Sequence, residues 1–178
     1  FHGEGAEPGL AVRPYLRPHP LPAGDCKAIA ERGEGWLFLA ALIDMHTRKV
    51  VGWAVRDTLH ADIALEALDM AIRRQRPAPG LVHHSDRGVQ YAADAYRQAL
   101  AAARVTPSMS RKGNCLDNAP MESFFHTLKV ERVHHRVYAT RDEARRDLFT
   151  YIEGFYNSRR LHSGIGYRSP ADTERMAA

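Results

Sequence analysis

An uninterrupted apolar run from Trp36 to Ile43, about as long as a β-strand, sets the strongest limit on how this chain folds. A strand with apolar residues at every position must be covered on both faces, which is typical of a sheet between two layers of helices. A polar turn at residues 44–49 separates this run from a second apolar segment, Val50 to Val55. The two segments predict an antiparallel hairpin within an α/β protein.

Downstream of the hairpin, the hydrophobic periodicity predicts alternating helices and short strands. Ile63, Ala67 and Ala71 recur at helical spacing, and Pro77 and Pro79 end this helix. The other predicted elements are a strand at 81–84, a helix at 92–103, a strand at 105–109, a helix from about Asn118 and a helix that the capping box Thr140–Glu143 opens. This order predicts a mixed sheet flanked by helices, with its parallel part in the C-terminal half.

The aromatic residues of these elements are at positions that favour packing in the core over stacking on bases. This interpretation covers Trp36, Trp53, Phe124, Phe125, Tyr151 and Phe155.

The first 24 residues differ in composition from the rest of the chain. Pro14, Pro18, Pro20 and Pro22 lie close together, which should exclude a continuous helix or a central strand. We therefore expect residues 1–24 to form an extended or disordered lead-in. The absence of an initiator methionine further suggests a fragment of a longer protein.

Charge and cysteine content indicate the setting and the partner. Residues 104–178 carry 13 Lys/Arg against 9 Asp/Glu, and this excess accounts for the whole net charge of +4. A locally basic surface fits a polyanion such as nucleic acid, although a solvated surface can have the same composition. Cys26 and Cys115 lack the spacing of a zinc site, no apolar run is long enough for a membrane helix, and no signal peptide is visible. We expect a cytoplasmic protein with no membrane partner.

Two acidic residues are placed where they could do chemistry. Asp86 directly follows a short apolar strand, and Glu122 is in the first turn of a predicted helix, 35 residues further on. Strand ends and helix starts at one sheet edge can place two carboxylates around a pair of divalent ions, the arrangement used for phosphoryl transfer. The structural alternative is that Asp86 caps a turn and that Glu122 only interacts with the helix dipole.

Three longer segments narrow these alternatives. His83–Tyr91, Ser108–Phe125 and Phe155–Ser163 closely resemble the catalytic core of insertion-sequence transposases of the retroviral-integrase, or DDE, type. The resemblance runs from about Trp36 to Ala171. It implies a ribonuclease-H-like fold, with a catalytic core at residues 25–135 and a C-terminal helix and basic tail at 136–178.

The resemblance also implies a metal-binding triad of two aspartates and one glutamate. Asp86 matches the second aspartate and Glu122 the glutamate. Asp25 is the acidic residue nearest the place of the first, but its surroundings depart from the family pattern and it lies about one residue too far from Trp36. Either Asp25 completes the triad, or a frameshift or decay of the 5′ end has removed the first aspartate. Asp44 is a rival that we interpret as structural.

The same resemblance implies side chains that contact DNA. Lys129 follows Glu122 by seven residues and thus shares its helix face. His126 and His162 are weaker candidates, and the alternative for each is a solvated surface group. His83 and His84 are adjacent in a strand and should point to opposite faces, which disfavours a zinc site. The predicted DNA-binding residues are Arg111, Lys112, Asn114, Lys129, Arg159 and Arg160.

The implied function is DNA transposase activity, with metal-dependent strand cleavage followed by strand transfer from the freed 3′-hydroxyl. Mg²⁺ is the implied cofactor, with Mn²⁺ as a substitute. The expected partners are element ends and target DNA, with a homo-oligomer on DNA and association with the bacterial nucleoid. No segment resembles the family's helix-turn-helix. Two rivals are an inactive transposase remnant that binds DNA or the intact transposase, and a ribonuclease H that cuts hybrids.

Overall fold

The computed structural model describes residues 15–20, 34–58, 60–85, 93–109 and 119–177, with the backbone alone at 15–20, 61 and 109. Its strands are β1 (Tyr15–Pro20), β2 (Phe38–Asp44), β3 (Val50–Arg56), β4 (Val82–Ser85) and β5 (Thr106–Met109). Its α-helices are α1 (Ala61–Gln75), α2 (Asp94–Ala102), α3 (Ala119–Glu131), α4 (Arg141–Tyr151) and α5 (Pro170–Ala177). A π-helical segment, Ile152–Tyr156, continues α4.

The five strands form one mixed sheet in the order β3-β2-β1-β4-β5. β2 pairs antiparallel with both β3 and β1, whereas β4 runs parallel to both β1 and β5. The predicted hairpin and the mixed sheet are confirmed. β4 and β5 are parallel as predicted, but the parallel part also includes β1, from the N-terminal end of the chain.

The position of β1 corrects one prediction. The proline-rich start was expected to supply no central strand, yet β1 lies between β2 and β4. The paired positions with β4 stop at Leu16, and Pro18 and Pro20 come after that point. Alternate residues of a strand direct their N–H groups to the same side, so both prolines can lack theirs where the β4 ladder has already ended.

The sheet is covered by helices on both faces, as the apolar run predicted. Along β2, Leu39, Ala41 and Ile43 contribute to a core that includes residues of α3 and α4. The alternate residues Ala40 and Leu42 belong to a second core with residues of α1 and α2. The period-two alternation of the strand thus divides the interior into two apolar layers.

Helix α1 lies close against the sheet at Gly52. A Cβ atom at this position would lie 2.1 Å from the backbone oxygen of Ala67 and 2.8 Å from the Cβ of Ala71. Both distances are far below van der Waals contact. The absence of a side chain at Gly52, together with the small alanines of α1, therefore sets how near the helix packs.

Two of the six aromatic residues predicted to be in the core are exposed. Trp36, two residues before β2, is 40% exposed, and Phe155 is 42% exposed. Phe155 lies in the π-helical segment, whose wider turns change which residues face inward. Tyr156 is buried in its place. The core assignment is confirmed for Trp53, Phe124, Phe125 and Tyr151.

The predicted capping box begins α4. The hydroxyl of Thr140 accepts a hydrogen bond from the backbone N–H of Glu143 at 3.1 Å. The carboxylate of Glu143 in turn accepts one from the backbone N–H of Ala139 at 2.9 Å. These bonds satisfy two N–H groups near the helix start that have no partner within the helix.

Candidate active site

The C-terminal ends of β4 and β5 meet at one edge of the sheet. Their paired positions run to Ser85 opposite Met109, so both strands end at the same level. Residues 86–92 follow β4 and residues 110–118 follow β5, and both segments lie outside the described residues. The chain returns at Ala119, where α3 begins. Asp86 thus follows one of the two strand ends directly in the sequence.

The strand that leads to Asp86 is held by two buried histidines. His83 Nε2 lies 2.9 Å from the hydroxyl of Tyr96 in α2, and His84 Nδ1 lies 3.2 Å from Oγ of Ser108 in β5. Burial raises the pKa of Tyr96 well above its ordinary value, so its hydroxyl stays protonated. Each histidine therefore has a separate partner that anchors β4.

Glu122 is the one member of the predicted triad that lies among the described residues; Asp25 and Asp86 do not. Helix α3 buries Phe124, Phe125 and two other residues, and leaves Glu122 exposed in its first turn. Glu122 forms no hydrogen bond or ion pair within the described ranges, so its carboxylate has both oxygens available for a ligand.

Lys129 lies on the same helix as Glu122, two turns further on. Seven residues at about 1.5 Å each separate the two by about 10 Å along the helix axis. Lys129 is partly buried, and His126, between the two, is exposed. No group of three or more His, Cys, Asp or Glu residues in the described part of the chain is arranged to hold a metal ion.

Asp44 serves the turn between β2 and β3. Its Oδ1 accepts a hydrogen bond from the backbone N–H of His46 at 3.0 Å. Its Oδ2 accepts one from the hydroxyl of Thr47 at 2.7 Å. Both carboxylate oxygens thus stabilise the turn, which agrees with the structural interpretation of Asp44.

The two arginines predicted to contact DNA after α4 differ in their surroundings. Arg159 is exposed. Arg160 donates from Nε to Glu131 Oε1 at 3.0 Å and from Nη2 to the same oxygen at 2.8 Å. Partial burial raises the pKa of Glu131, but hydrogen bonds from Arg160 and Tyr151 outweigh it, so the pKa is lowered overall. Arg160 therefore stabilises the end of α3. The other predicted DNA-binding residues, Arg111, Lys112 and Asn114, lie outside the described residues.

Asn157 has a role that the sequence did not predict. Its Oδ1 accepts a hydrogen bond from the backbone N–H of Val50, and its Nδ2 donates one to the backbone carbonyl of Val50, both at 2.9 Å. The two residues are 107 positions apart. The match of residues 157–162 to the family was the one signal for this role, and it carried no information about the partner.

A buried carboxylate, Asp147, was also missed. It accepts hydrogen bonds from the Arg132 guanidinium and, at 2.7 Å, from the Tyr138 hydroxyl. Arg136 lies 3.1 Å away. Burial raises the pKa of Asp147, but the hydrogen bonds and the two guanidinium charges outweigh it and lower the pKa overall. This network connects α4 to the segment after α3.

Comparison with known proteins gives the family. The integrase core domain family matches residues 17–115, and a second integrase core domain family matches residues 122–177. The first match covers more than half of the chain, so this chain belongs to the integrase core domain family.

Several insertion-sequence proteins are similar to it. The chain is 50% identical over 138 residues to the insertion element IS600 uncharacterized 31 kDa protein of Shigella sonnei, covering 78% of this chain and 51% of that protein. It is 41% identical over 158 residues to the transposase for insertion sequence element IS904 of Lactococcus lactis, covering 89% and 62%. It is 43% identical over 141 residues to transposase InsF of IS3A in Escherichia coli, covering 79% and 49%. The chain thus spans about half to three fifths of the length of these relatives.

A solved structure shows the same fold. A chain in the cryo-EM structure of the simian T-cell lymphotropic virus intasome, in complex with the PP2A regulatory subunit B56 gamma, aligns with a TM-score of 0.67 at 12% identity. The alignment covers 89% of this chain and 53% of that one. The ribonuclease-H-like fold class is thereby confirmed. None of the described helices is long and apolar enough to cross a membrane.

Proposed function

We propose that this chain is the catalytic part of an insertion-sequence transposase that cleaves DNA strands and joins them to target DNA in a metal-dependent reaction. The observation that carries this proposal is the sheet edge where β4 and β5 end level with each other. Asp86 follows one of these strands, and nine residues separate the end of the other strand from the helix that carries Glu122. That helix also contacts the central strand β1.

The chemistry of the donor set fits a divalent cation. Carboxylate oxygens are the ligands that Mg²⁺ prefers, and Glu122 is exposed without a partner among the described side chains. In this proposal Asp25, Asp86 and Glu122 hold Mg²⁺, for which Mn²⁺ can substitute. When bound, such ions activate the attacking oxygen and stabilise the leaving oxygen in phosphoryl transfer.

The protein's own contribution is positioning. The anchored histidines hold β4, which Asp86 follows in the sequence, and the buried face of α3 holds the helix that carries Glu122. Lys129, on the same helix as Glu122, supplies a positive charge for a DNA phosphate close to the reacting one. Arg111, Lys112, Asn114, Arg159 and Arg160 extend the proposed contact with DNA. Arg160 contributes least to it, because Glu131 compensates its charge.

A second candidate function is an inactive remnant that binds DNA or the intact transposase. One observation favours it: β1, the strand between β2 and β4, has the sequence Tyr-Leu-Arg-Pro-His-Pro and carries no carboxylate. An active core would therefore need Asp25 as its first triad aspartate, and this residue follows β1 by five positions. For the active core we propose element ends and target DNA as partners and a homo-oligomer on DNA. In either case we propose that the protein is in the bacterial cytoplasm, associated with the nucleoid.

Calorimetric titration with Mg²⁺ separates these two functions. The chain is compared with Asp25→Asn, Asp86→Asn and Glu122→Gln, and with Asp62→Asn as a control at an exposed first-turn position of α1. An active core loses binding with each of the first three substitutions and keeps it with the control. If Asp25→Asn binds as well as the unchanged chain, Asp25 is not a ligand and the remnant is the correct interpretation.

A further inference from the structure

A basic cleft lies beside the start of α3. Its volume is about 390 Å³, and three parts of the chain form it: the turn before β3, the first turn of α3 and the segment after the π-helix. The polar side chains and the glycine that line it are Arg48, Ser123, Tyr156, Arg160, His162, Ser163 and Gly164. No carboxylate is among the described residues that line the cleft.

Arg48 carries the uncompensated charge of this cleft. Arg160, the other arginine, is neutralised by Glu131 at 2.8 Å. The pKa of His162 is lowered by burial and by the nearby Arg160 charge, so its imidazole is neutral at pH 7. Arg48 is partly exposed and forms no side-chain hydrogen bond or ion pair with the residues that the structure describes. The nearby Asp44 directs its carboxylate to the turn instead.

The backbone of Arg48 has an unfavourable conformation. Arg48 has φ of 63°, in the left-handed region that residues with a side chain rarely adopt. Its backbone N–H donates to the carbonyl of Asp44 at 2.8 Å. On the opposite wall, a Cβ atom at Gly164 would lie 3.9 Å from Nη2 of Arg48. The guanidinium therefore reaches across to the segment after the π-helix.

The ring of His162 lines the cleft. The Nε2 atom of His162 is buried and makes no hydrogen bond to the described part of the chain. The Nδ1 atom lies 3.4 Å from Nη1 of Arg160, which can only donate, so the proton of the neutral ring is on Nε2. Because Nε2 is buried and the ring also interacts with the backbone of Tyr156, His162 forms part of the wall and Arg48 is left as the group that can bind an anion.

We propose that this cleft binds a phosphate of the DNA backbone through Arg48, adjacent to the Glu122 helix. The inference rests on the proposed function, because it assigns DNA as the partner. Ser123 lines the cleft and directly follows Glu122, so the cleft lies beside the helical turn that carries this carboxylate. Arg48 is then a positioning residue, which holds the strand in register with the carboxylates.

The test is DNA binding by fluorescence anisotropy, with a labelled duplex in EDTA so that metal binding does not contribute. Gly164→Asp puts a carboxylate against Arg48 and neutralises it, whereas Gly164→Asn has nearly the same shape and no charge. We expect Gly164→Asp and Arg48→Gln to weaken binding roughly threefold to tenfold and to reduce the salt slope of log K by about 0.9, the share of one phosphate contact. Gly164→Asn and Arg48→Lys should keep most of the affinity.

A control substitution at another surface distinguishes an effect of the cleft from an effect of the net charge of the protein. Arg73→Gln, on α1 at the opposite face of the sheet, removes one charge from an exposed pair with Asp69 and should leave the slope unchanged. If Gly164→Asp and Arg48→Gln bind DNA like the unchanged chain, the cleft is not a DNA site, although the proposed function stands. If the unchanged chain does not bind DNA, both proposals fail. If inorganic phosphate binds but DNA affinity does not depend on Arg48, the occupant is a free anion and the proposal is overturned.

Discussion

Asn157 takes the place of a strand partner for Val50: its amide group accepts from the backbone N–H and donates to the backbone carbonyl of that residue, both at 2.9 Å. Asn157 also offers its own carbonyl to the backbone N–H of Ala171 at 2.9 Å. One side chain and its backbone thus connect the start of β3, the end of the π-helix and the start of α5.

Replacement of Asn157 by alanine should lower the free energy of unfolding by about 3 kcal/mol, because two buried backbone groups of Val50 lose their partner. Urea denaturation measures this change. Ser158→Ala is the matched neighbour, since its hydroxyl bonds to the exposed carbonyls of Glu153 and Gly154. We expect a change below about 1 kcal/mol for Ser158→Ala. Equal effects of the two substitutions would show that the bond to Val50 is unimportant.

Gly52→Ala should destabilise the fold by about 3 kcal/mol or prevent folding, since the new methyl group would lie 2.1 Å from the backbone oxygen of Ala67. Gly154→Ala is the control, because its Cβ would meet only Thr150 Cγ2 at 4.0 Å. The control should change the free energy of unfolding by less than about 1 kcal/mol. Thermal and urea denaturation report both values. A Gly52→Ala protein as stable as the unchanged chain would contradict the close packing of α1 on β3.

The stability of the protein should fall in acid partly through Asp147. Its pKa is lowered in the folded state, so its contribution is complete above the unfolded pKa of about 3.9 and is lost as the pH falls through the folded value. Asp147→Asn removes this contribution and leaves Arg132 without its partner, at a cost of about 3 kcal/mol near pH 7. Denaturation at several pH values should show that the difference between the two proteins narrows below pH of about 4. A constant difference would contradict the assignment.

Substitutions of Arg159 and Arg160 should affect different properties, DNA binding for Arg159 and stability for Arg160. Arg160→Gln breaks the bidentate bond to Glu131 and should lower the free energy of unfolding by about 1 to 3 kcal/mol. Arg159→Gln should leave stability unchanged and reduce the salt slope of DNA binding by about 1, because the Arg159 side chain is exposed. Denaturation and anisotropy on both variants test this. The reverse pattern would mean that Arg160, and not Arg159, contacts DNA.

The sequence predicted those parts of the fold that depend on local periodicity. The hairpin and four helices follow from apolar spacing and, for α4, from a capping box whose partners are three residues apart. The prediction for β1 failed because a local rule on proline ignores how far each neighbouring ladder extends. That for Phe155 failed because the π-helical segment changes the helical phase, which no spacing rule detects.

In the candidate site, too, some features could be predicted from the sequence and others could not. The exposed position of Glu122 in the first turn of a helix that buries Phe124 and Phe125 was predictable, whereas its role as a metal ligand stays a prediction. The partners of Asn157 and Asp147 were not, because a side chain gives no indication of the distant backbone or guanidinium group that it will meet. Arg48 was missed for the same reason, since the cleft consists of segments that the sequence separates widely.

DNA cleavage in Mg²⁺ tests the central claim most directly. The chain is incubated with an end-labelled duplex, and the strand breaks are compared between the unchanged protein, Glu122→Gln and the exposed control Asp62→Asn. The account predicts breaks that leave a 3′-hydroxyl, that disappear with EDTA, and that fall by at least about 100-fold with Glu122→Gln but not with Asp62→Asn. Cleavage that is equally fast with Glu122→Gln would contradict the assignment of this carboxylate and the mechanism built on it.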